Sequence, residues 1–184
     1  MHVAVAKDVL KLMHSFEEVE KGAFLEFHDP KFKAAPEYGA NSTPYCGDAA
    51  RLQKAIPKIA KHCTVCAKGA MVLAHIHLYD GMAYLPSNQE TDTVAWEYFG
   101  LQANLIESAF EMSEMCFRFW GLDGDNDGSR LQCTNQTAEK CIIFGRQYED
   151  DPRARLRAIM RNVIVNGGRF VPTDLKNKGP KLRS

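Results

Sequence analysis

The sequence has no excess of charge of either sign, because 23 Lys and Arg residues balance 23 Asp and Glu residues. This balance gives the chain no overall electrostatic attraction to nucleic acid or to an anionic membrane surface. No apolar run approaches the roughly 20 residues that a membrane-spanning helix needs. The first residues also lack the basic stretch and long apolar core of a secretion signal. We therefore expect a cytoplasmic chain that does not bind membranes.

The sequence also lacks the motifs of the common enzyme classes. The phosphate-binding patterns Gly-x-x-x-x-Gly-Lys-Ser/Thr and Gly-x-Gly-x-x-Gly do not occur, and neither do Gly-x-Ser-x-Gly and His-Glu-x-x-His. A catalytic triad dispersed along the chain would escape this test. His28, beside Asp29, is the isolated titratable residue that we would examine first. We favour a protein without catalytic residues and without a cofactor.

Six cysteines are present, at positions 46, 63, 66, 116, 133 and 141. We expect reduced thiols, because disulfide scaffolds are short secreted chains that cannot build a core, and 45% of this chain is hydrophobic. Cys63 and Cys66 lie beside His62 and resemble half of a zinc site, but no second close pair of ligands follows. His75 and His77 are two residues apart and diverge on a helix. We therefore expect no metal there and interpret Cys66 as a small apolar residue at a close helix contact.

Apolar residues recur at helical spacing through most of the chain. The predicted helices cover residues 3–21, a segment from 47 that is interrupted near Pro57, 64–80, 93–112 with a break at Gly100, 137–148, and a last helix that Asp151 caps and Gly167-Gly168 ends. Residues 23–46 are rich in turn signals and are predicted to be a loop that contains one short extended piece. The prediction is an all-α compact domain of five to six helices over residues 1–172, with at most one short strand pair. A polar, basic tail follows at 173–184.

The segment 64–80 is the predicted centre of this domain. It has a broad apolar face from which Lys68, His75 and Tyr79 are expected to point away. The face includes the small residues Cys66 and Gly69, and glycine normally weakens a helix by about 0.5–1 kcal/mol relative to alanine. We therefore expect another helix to approach the backbone of this segment closely.

An acidic turn offers one candidate cation site. Asp123, Asp125 and Asp127, followed by Gly128, match the first half of an EF-hand calcium loop. The twelfth position is Thr134 instead of the glutamate that binds calcium through both oxygens. A solvated turn rich in Asp and Gly explains the same residues, so a calcium or other hard-cation site remains the alternative interpretation.

The C-terminal part of the chain is basic. From Glu149 onward, nine Lys or Arg residues and four acidic residues give a net charge of +5. The residues predicted to bind a ligand lie on or just after the last helix: Arg153, Arg157, Arg161, Arg169 and Phe170. Guanidinium groups bind phosphates through a planar fork of donors, and Phe170 would add a stacking surface. An ordinary solvated helix face is the other interpretation.

Three segments carry a resemblance: CTVCAKGA at 63–70, QANLIESAFE at 102–111 and AIMRNVIVNGG at 158–168. Together they resemble small helical proteins of bacteriophages and prophages, over about residues 46–172. The resemblance implies a phage setting in the cytoplasm of a host bacterium and no known activity.

We therefore expect a non-enzymatic phage accessory protein that acts by binding. Counter-defence suits such a chain, either by sequestering a nucleotide signal or by blocking a host protein. The expected partners are a small phosphate-bearing ligand or a host protein, and a homo-oligomer is also considered.

Overall fold

The computed structural model describes residues 2–28, 49–79, 85–86, 88–113 and 135–172. In this part of the chain the helices are α1 (His2–Leu12), α2 (Ala49–Ile59), α3 (Ala67–Tyr79), α4 (Asn88–Phe99), α5 (Leu101–Glu111), α6 (Asn135–Arg146) and α7 (Pro152–Val165). The strands are β1 (Glu18–Val19), β2 (Leu25–Phe27) and β3 (Cys63–Val65). The predicted helical class is confirmed, and the sheet has three short strands where at most one pair was expected.

The small sheet has β3 in its centre. Strand β1 pairs with β3 in parallel, and β2 pairs with it in antiparallel orientation. The β-branched residues Thr64 and Val65 favour this extended conformation, and both are buried. A 3₁₀ turn, Ala60–His62, leads from α2 into β3. The predicted helix over 64–80 therefore begins only at Ala67, because the preceding residues form a strand.

The first helix is also shorter than predicted. It ends at Leu12, whereas helical spacing predicted a helix over 3–21. Met13, Phe16 and Val19 continue the apolar spacing and are buried, but they point inward from a turn and from β1. Pairing of β1 with β3 supplies hydrogen bonds that replace those of a continued helix.

Helix α3 lies at the centre of the fold, as predicted. Every residue from Ala67 to Ile76 is buried, and α1, α2, α4 and α5 pack against this helix. Lys68 and His75 were expected to point away from the core, but both are buried, with 5% and 6% of their surfaces exposed. Neighbouring elements therefore also cover α3 on the sides from which Lys68 and His75 project.

The close approach to Gly69 is made by a strand segment and not by the expected helix. A Cβ atom at this position would overlap the carbonyl oxygen of Phe24, just before β2. In addition, Cys66 N–H donates to the Ala23 carbonyl at 2.7 Å. Glycine at position 69 therefore allows the chain entering β2 to lie against the first turn of α3.

The break at Gly100 and both ends of the last helix agree with the prediction, whereas α4 begins at Asn88, five residues before the predicted start at 93. Gly100 separates α4 from α5 with a φ of +54°. The Asp151 carboxylate accepts a hydrogen bond from Ala154 N–H at 2.8 Å and caps α7, and Pro152 occupies its first turn. Gly167 and Gly168, both with positive φ, follow its end.

Several sequence predictions fall outside the described residues. These are the loop beyond residue 28, the acidic turn with Asp123, Asp125 and Asp127, and the tail at 173–184. The short extended piece predicted after residue 22 is β2. None of the helices in the described segments is both long and apolar enough to span a membrane.

Candidate functional site

Arg153, the first residue of the predicted basic row, makes structural contacts. Its guanidinium donates hydrogen bonds to the carbonyl oxygens of Met13, Phe16 and Glu17, at 2.7, 2.8 and 2.9 Å. These carbonyls belong to the turn between α1 and β1, where the helix leaves acceptors without intrahelical partners. The donors of Arg153 therefore hold α7 against this turn, and ligand binding by this residue stays a prediction.

Phe170 does not form an exposed stacking surface. It is 3% exposed, and its ring packs edge-to-face against Phe144 with the centroids 5.3 Å apart. Its backbone N–H donates to Gln102 Oε1 at 2.6 Å. The ring and the backbone N–H of Phe170 therefore dock the chain after α7 onto α5 and α6.

The other three predicted arginines lie at the surface. Arg161 and Arg169 are exposed and Arg157 is partly exposed. Asn162 holds Val171 through two hydrogen bonds of 2.8 Å, so the segment with Arg169 folds back along the last turns of α7. Arg157, Arg161 and Arg169 are called the basic surface below. In the described segments, no hydrogen bond or ion pair occupies these three guanidinium groups.

Arg155, between two residues of the predicted row, is a buried cation that sequence analysis missed. It is fully buried and donates to the carbonyl oxygens of Phe110 and Tyr148 at 2.8 and 2.9 Å, and also to that of Glu149. Its Cζ lies 5.6 Å from the centre of the Phe110 ring. Arg155 thus joins the end of α5 to the turn between α6 and α7.

Among the residues that the structure describes, no group of candidate metal ligands combines Cys63, His75 and His77. Cys63 Sγ donates to the Ile59 carbonyl at 3.3 Å, and burial raises the pKa of this thiol to about 12. His75 stacks on Tyr98 with a centroid separation of 3.8 Å. His77 Nδ1 instead lies 2.7 Å from a carboxylate oxygen of Asp8 on α1.

His28, the residue singled out as an isolated titratable group, lies at the exposed end of the sheet. Its Nε2 is 3.0 Å from Thr64 Oγ1 on β3. This contact ties the residue after β2 to the central strand.

A cluster of ligand-type atoms forms where α3 begins and α5 ends. Cys66 Sγ and one carboxylate oxygen from each of Glu107 and Glu111 all lie within 4.8 Å of one another. The two glutamates are four residues apart and share one face of α5, and Cys66 precedes α3. Cys66 and Glu107 are buried, and Glu111 is half-buried. We call these three residues the thiol–carboxylate cluster.

Backbone groups orient both carboxylates of the cluster. Lys68 N–H, at the start of α3, donates to Glu107 Oε2 at 3.1 Å. Gly22 N–H, in the turn between β1 and β2, donates to Glu111 Oε1 at 2.9 Å. The first N–H groups of a helix have no intrahelical acceptor, which makes α3 a suitable donor to Glu107. Three separate parts of the fold therefore fix the cluster.

Burial shifts the protonation of the cluster towards its neutral forms. The pKa of Glu107 is raised from 4.5 to about 7, chiefly by burial and also by the charge of Glu111, while Lys68 opposes the shift. Burial also raises the pKa of Glu111, which the Gly22 N–H opposes. The pKa of Cys66 is raised well above its ordinary value by burial and by Glu107.

No basic side chain in the described segments forms an ion pair with Glu107 or Glu111. The ammonium group of Lys68 instead pairs with the exposed carboxylate of Asp92 on α4. Buried carboxylates are normally paired with a cation, bound to a metal or protonated. The cluster is therefore a place where a proton or a metal cation would be stabilised.

The sequence contains a weak signal for this cluster. Glu107 and Glu111 interrupt the apolar residues of α5 at a spacing of one turn, which is unusual for the apolar face of a helix. The thiol that meets them is about forty residues earlier, so their contact depends on the packing of α3 against α5.

Comparisons with models of protein families, with curated proteins and with solved structures gave no match.

Proposed function

We propose that this protein acts by binding a phosphate-bearing ligand on the basic surface of Arg157, Arg161 and Arg169. The observation that carries this proposal is that the guanidinium groups of the surface are available, whereas those of Arg153 and Arg155 are occupied by backbone carbonyls. Arginine recognises phosphate through paired donors and keeps its charge at any physiological pH.

The charge distribution on α7 supports this proposal. The helix contains four arginines and no acidic residue. Arg157 and Arg161 are one turn apart, and like charges at this spacing destabilise a helix by a few tenths of a kcal/mol. An anion between them would remove this repulsion.

The setting that we propose is the cytoplasm of a bacterial host, in keeping with the resemblance to phage proteins. The ligand is then a nucleotide signal that the protein sequesters without turnover. Blocking of a host protein through the same basic surface is the alternative that the binding experiments must separate from it.

The test is a titration of the full chain with cyclic and linear nucleotides, monitored by thermal shift and calorimetry. The double variant Arg157→Gln/Arg161→Gln should bind at least tenfold more weakly, because each lost charge-assisted hydrogen bond is worth about 1.5–3 kcal/mol. Binding should also weaken as salt is raised.

A matched control is present on α2. Lys54 and Lys58 are exposed and also lie one turn apart, so Lys54→Gln/Lys58→Gln removes the same charge at the same spacing from another face. This control should bind nucleotides like the native chain. An equal loss of affinity in both double variants would show that only the net charge of the protein matters. Absence of nucleotide binding by the native chain would exclude a nucleotide as the ligand.

A further inference from the structure

The thiol–carboxylate cluster brings together ligand-type atoms that the basic surface does not use. One thiol and two carboxylates come from the start of α3 and from one face of α5. Ordinary surface carboxylates are separated by solvent, but here two of the three side chains are buried. The cluster uses one cysteine of the pair that sequence analysis considered, Cys66, whereas the thiol of Cys63 donates to the Ile59 carbonyl.

We infer that Cys66, Glu107 and Glu111 form a binding site for a divalent transition metal, with zinc as the preferred ion. Zinc accepts sulfur and carboxylate oxygen together, whereas calcium and magnesium require oxygen ligands. This site is independent of the proposed phosphate binding, since it uses none of the residues of the basic surface.

The distances in the cluster are compatible with coordination. Tetrahedral zinc with thiolate and carboxylate ligands holds neighbouring ligand atoms about 3.5 Å apart. The three atoms lie within 4.8 Å of one another, so side-chain movements on the order of 1 Å bring them to that spacing. Glutamate side chains make such movements by rotation about their own bonds, without displacement of α3 or α5.

Backbone hydrogen bonds prepare the carboxylates for this role. Lys68 N–H holds Glu107 and Gly22 N–H holds Glu111, and groups that bond to metal ligands from outside commonly fix their orientation. Glu111 is the half-buried member of the cluster and provides the approach from solvent. Three protein ligands leave one position of a tetrahedral zinc ion open.

The test uses the full chain after treatment with a chelator, titrated with Zn²⁺ in competition with a chromophoric chelator. We expect each chain to bind one zinc ion with high affinity at the cluster. The bound ion should raise the melting temperature, because a metal that binds only the native state stabilises it. Co²⁺ in place of zinc should produce the near-ultraviolet absorption of a thiolate–cobalt bond.

The variants Cys66→Ala, Glu107→Gln and Glu111→Gln should each weaken zinc binding at least tenfold and abolish the cobalt–thiolate absorption or change it. Cys63→Ala and Cys141→Ala remove buried cysteine thiols outside the cluster and should leave both signals unchanged. Glu111→Gln keeps an oxygen for the Gly22 N–H, so it serves as the decisive variant if the Cys66 variant does not fold.

Two results would overturn the inference. One is the absence of zinc binding by the native chain. The other is zinc binding of equal affinity in the native chain and in Glu111→Gln and Glu107→Gln, which would assign the ion to other residues.

Discussion

At the scale of single residues, Glu107 makes the stability of the metal-free protein depend on pH. Its pKa is about 7 in the folded chain and about 4.5 in an exposed carboxyl group, so the native state binds more protons between these values. The contribution of Glu107 to the free energy of unfolding is fully present below pH 4.5 and is lost as the pH rises through 7. The loss is about 1.4 kcal/mol for each unit by which the folded and unfolded pKa values differ. Urea unfolding of Glu107→Gln with chelator should show a flatter pH dependence over this window.

The direction in which stability changes with pH shows whether Glu107 is protonated or ionised in the native state. If Glu107 were ionised in the native state throughout this window, the native chain would not lose stability relative to Glu107→Gln as the pH rises from 4.5 to 7. The pKa of Glu111 is also raised by burial. The Glu111→Gln variant should therefore lose less stability than the native chain as the pH rises. Cys66 titrates above this window because its pKa is raised well above its ordinary value.

Arg155 and Arg157 are two positions apart, one on each side of Leu156, and their surroundings differ completely. Arg155 is buried and donates to three carbonyls, whereas Arg157 is partly exposed. Lysine cannot reproduce the planar fork of donors, so Arg155→Lys should lower the free energy of unfolding by about 2 kcal/mol or more. Arg157→Lys should change it by less than about 0.5 kcal/mol. Equal effects in urea unfolding would contradict the structural role of Arg155.

At the scale of elements, the contact between α3 and the chain before β2 depends on Gly69. In a helix with free space, Gly→Ala stabilises by about 0.5–1 kcal/mol. Here the new methyl group would overlap the Phe24 carbonyl, so β2 would have to move away from β3. Gly69→Ala should therefore destabilise the protein, by about 1–3 kcal/mol, in a denaturant titration. A gain in stability would show that the backbone at Phe24 can move away from the new methyl group without a cost in free energy.

Elements with local signals were predictable, and those that depend on distant pairing were not. Asp151, Pro152 and the final glycines defined α7 because capping chemistry acts within a few residues. Strand β1 has only two residues, and nothing local distinguishes it from the helix that its apolar spacing predicted. The cluster could not be derived for the same reason, since Cys66 and Glu107 meet only through the packing of α3 and α5.

At the scale of the whole molecule, the chain beyond α7 still contributes to the core through Phe170. Phe170 is buried against Phe144 and bonds to Gln102, and Asn162 holds Val171. A chain ending at residue 172 should therefore melt like the full-length protein, because residues 173–184 are the predicted polar tail. A chain ending at residue 168 loses the Phe170 ring, whose removal from a core costs about 3–5 kcal/mol, and its melting temperature should fall by several degrees. Equal melting temperatures for the two truncated chains would show that the segment after α7 adds nothing to the domain.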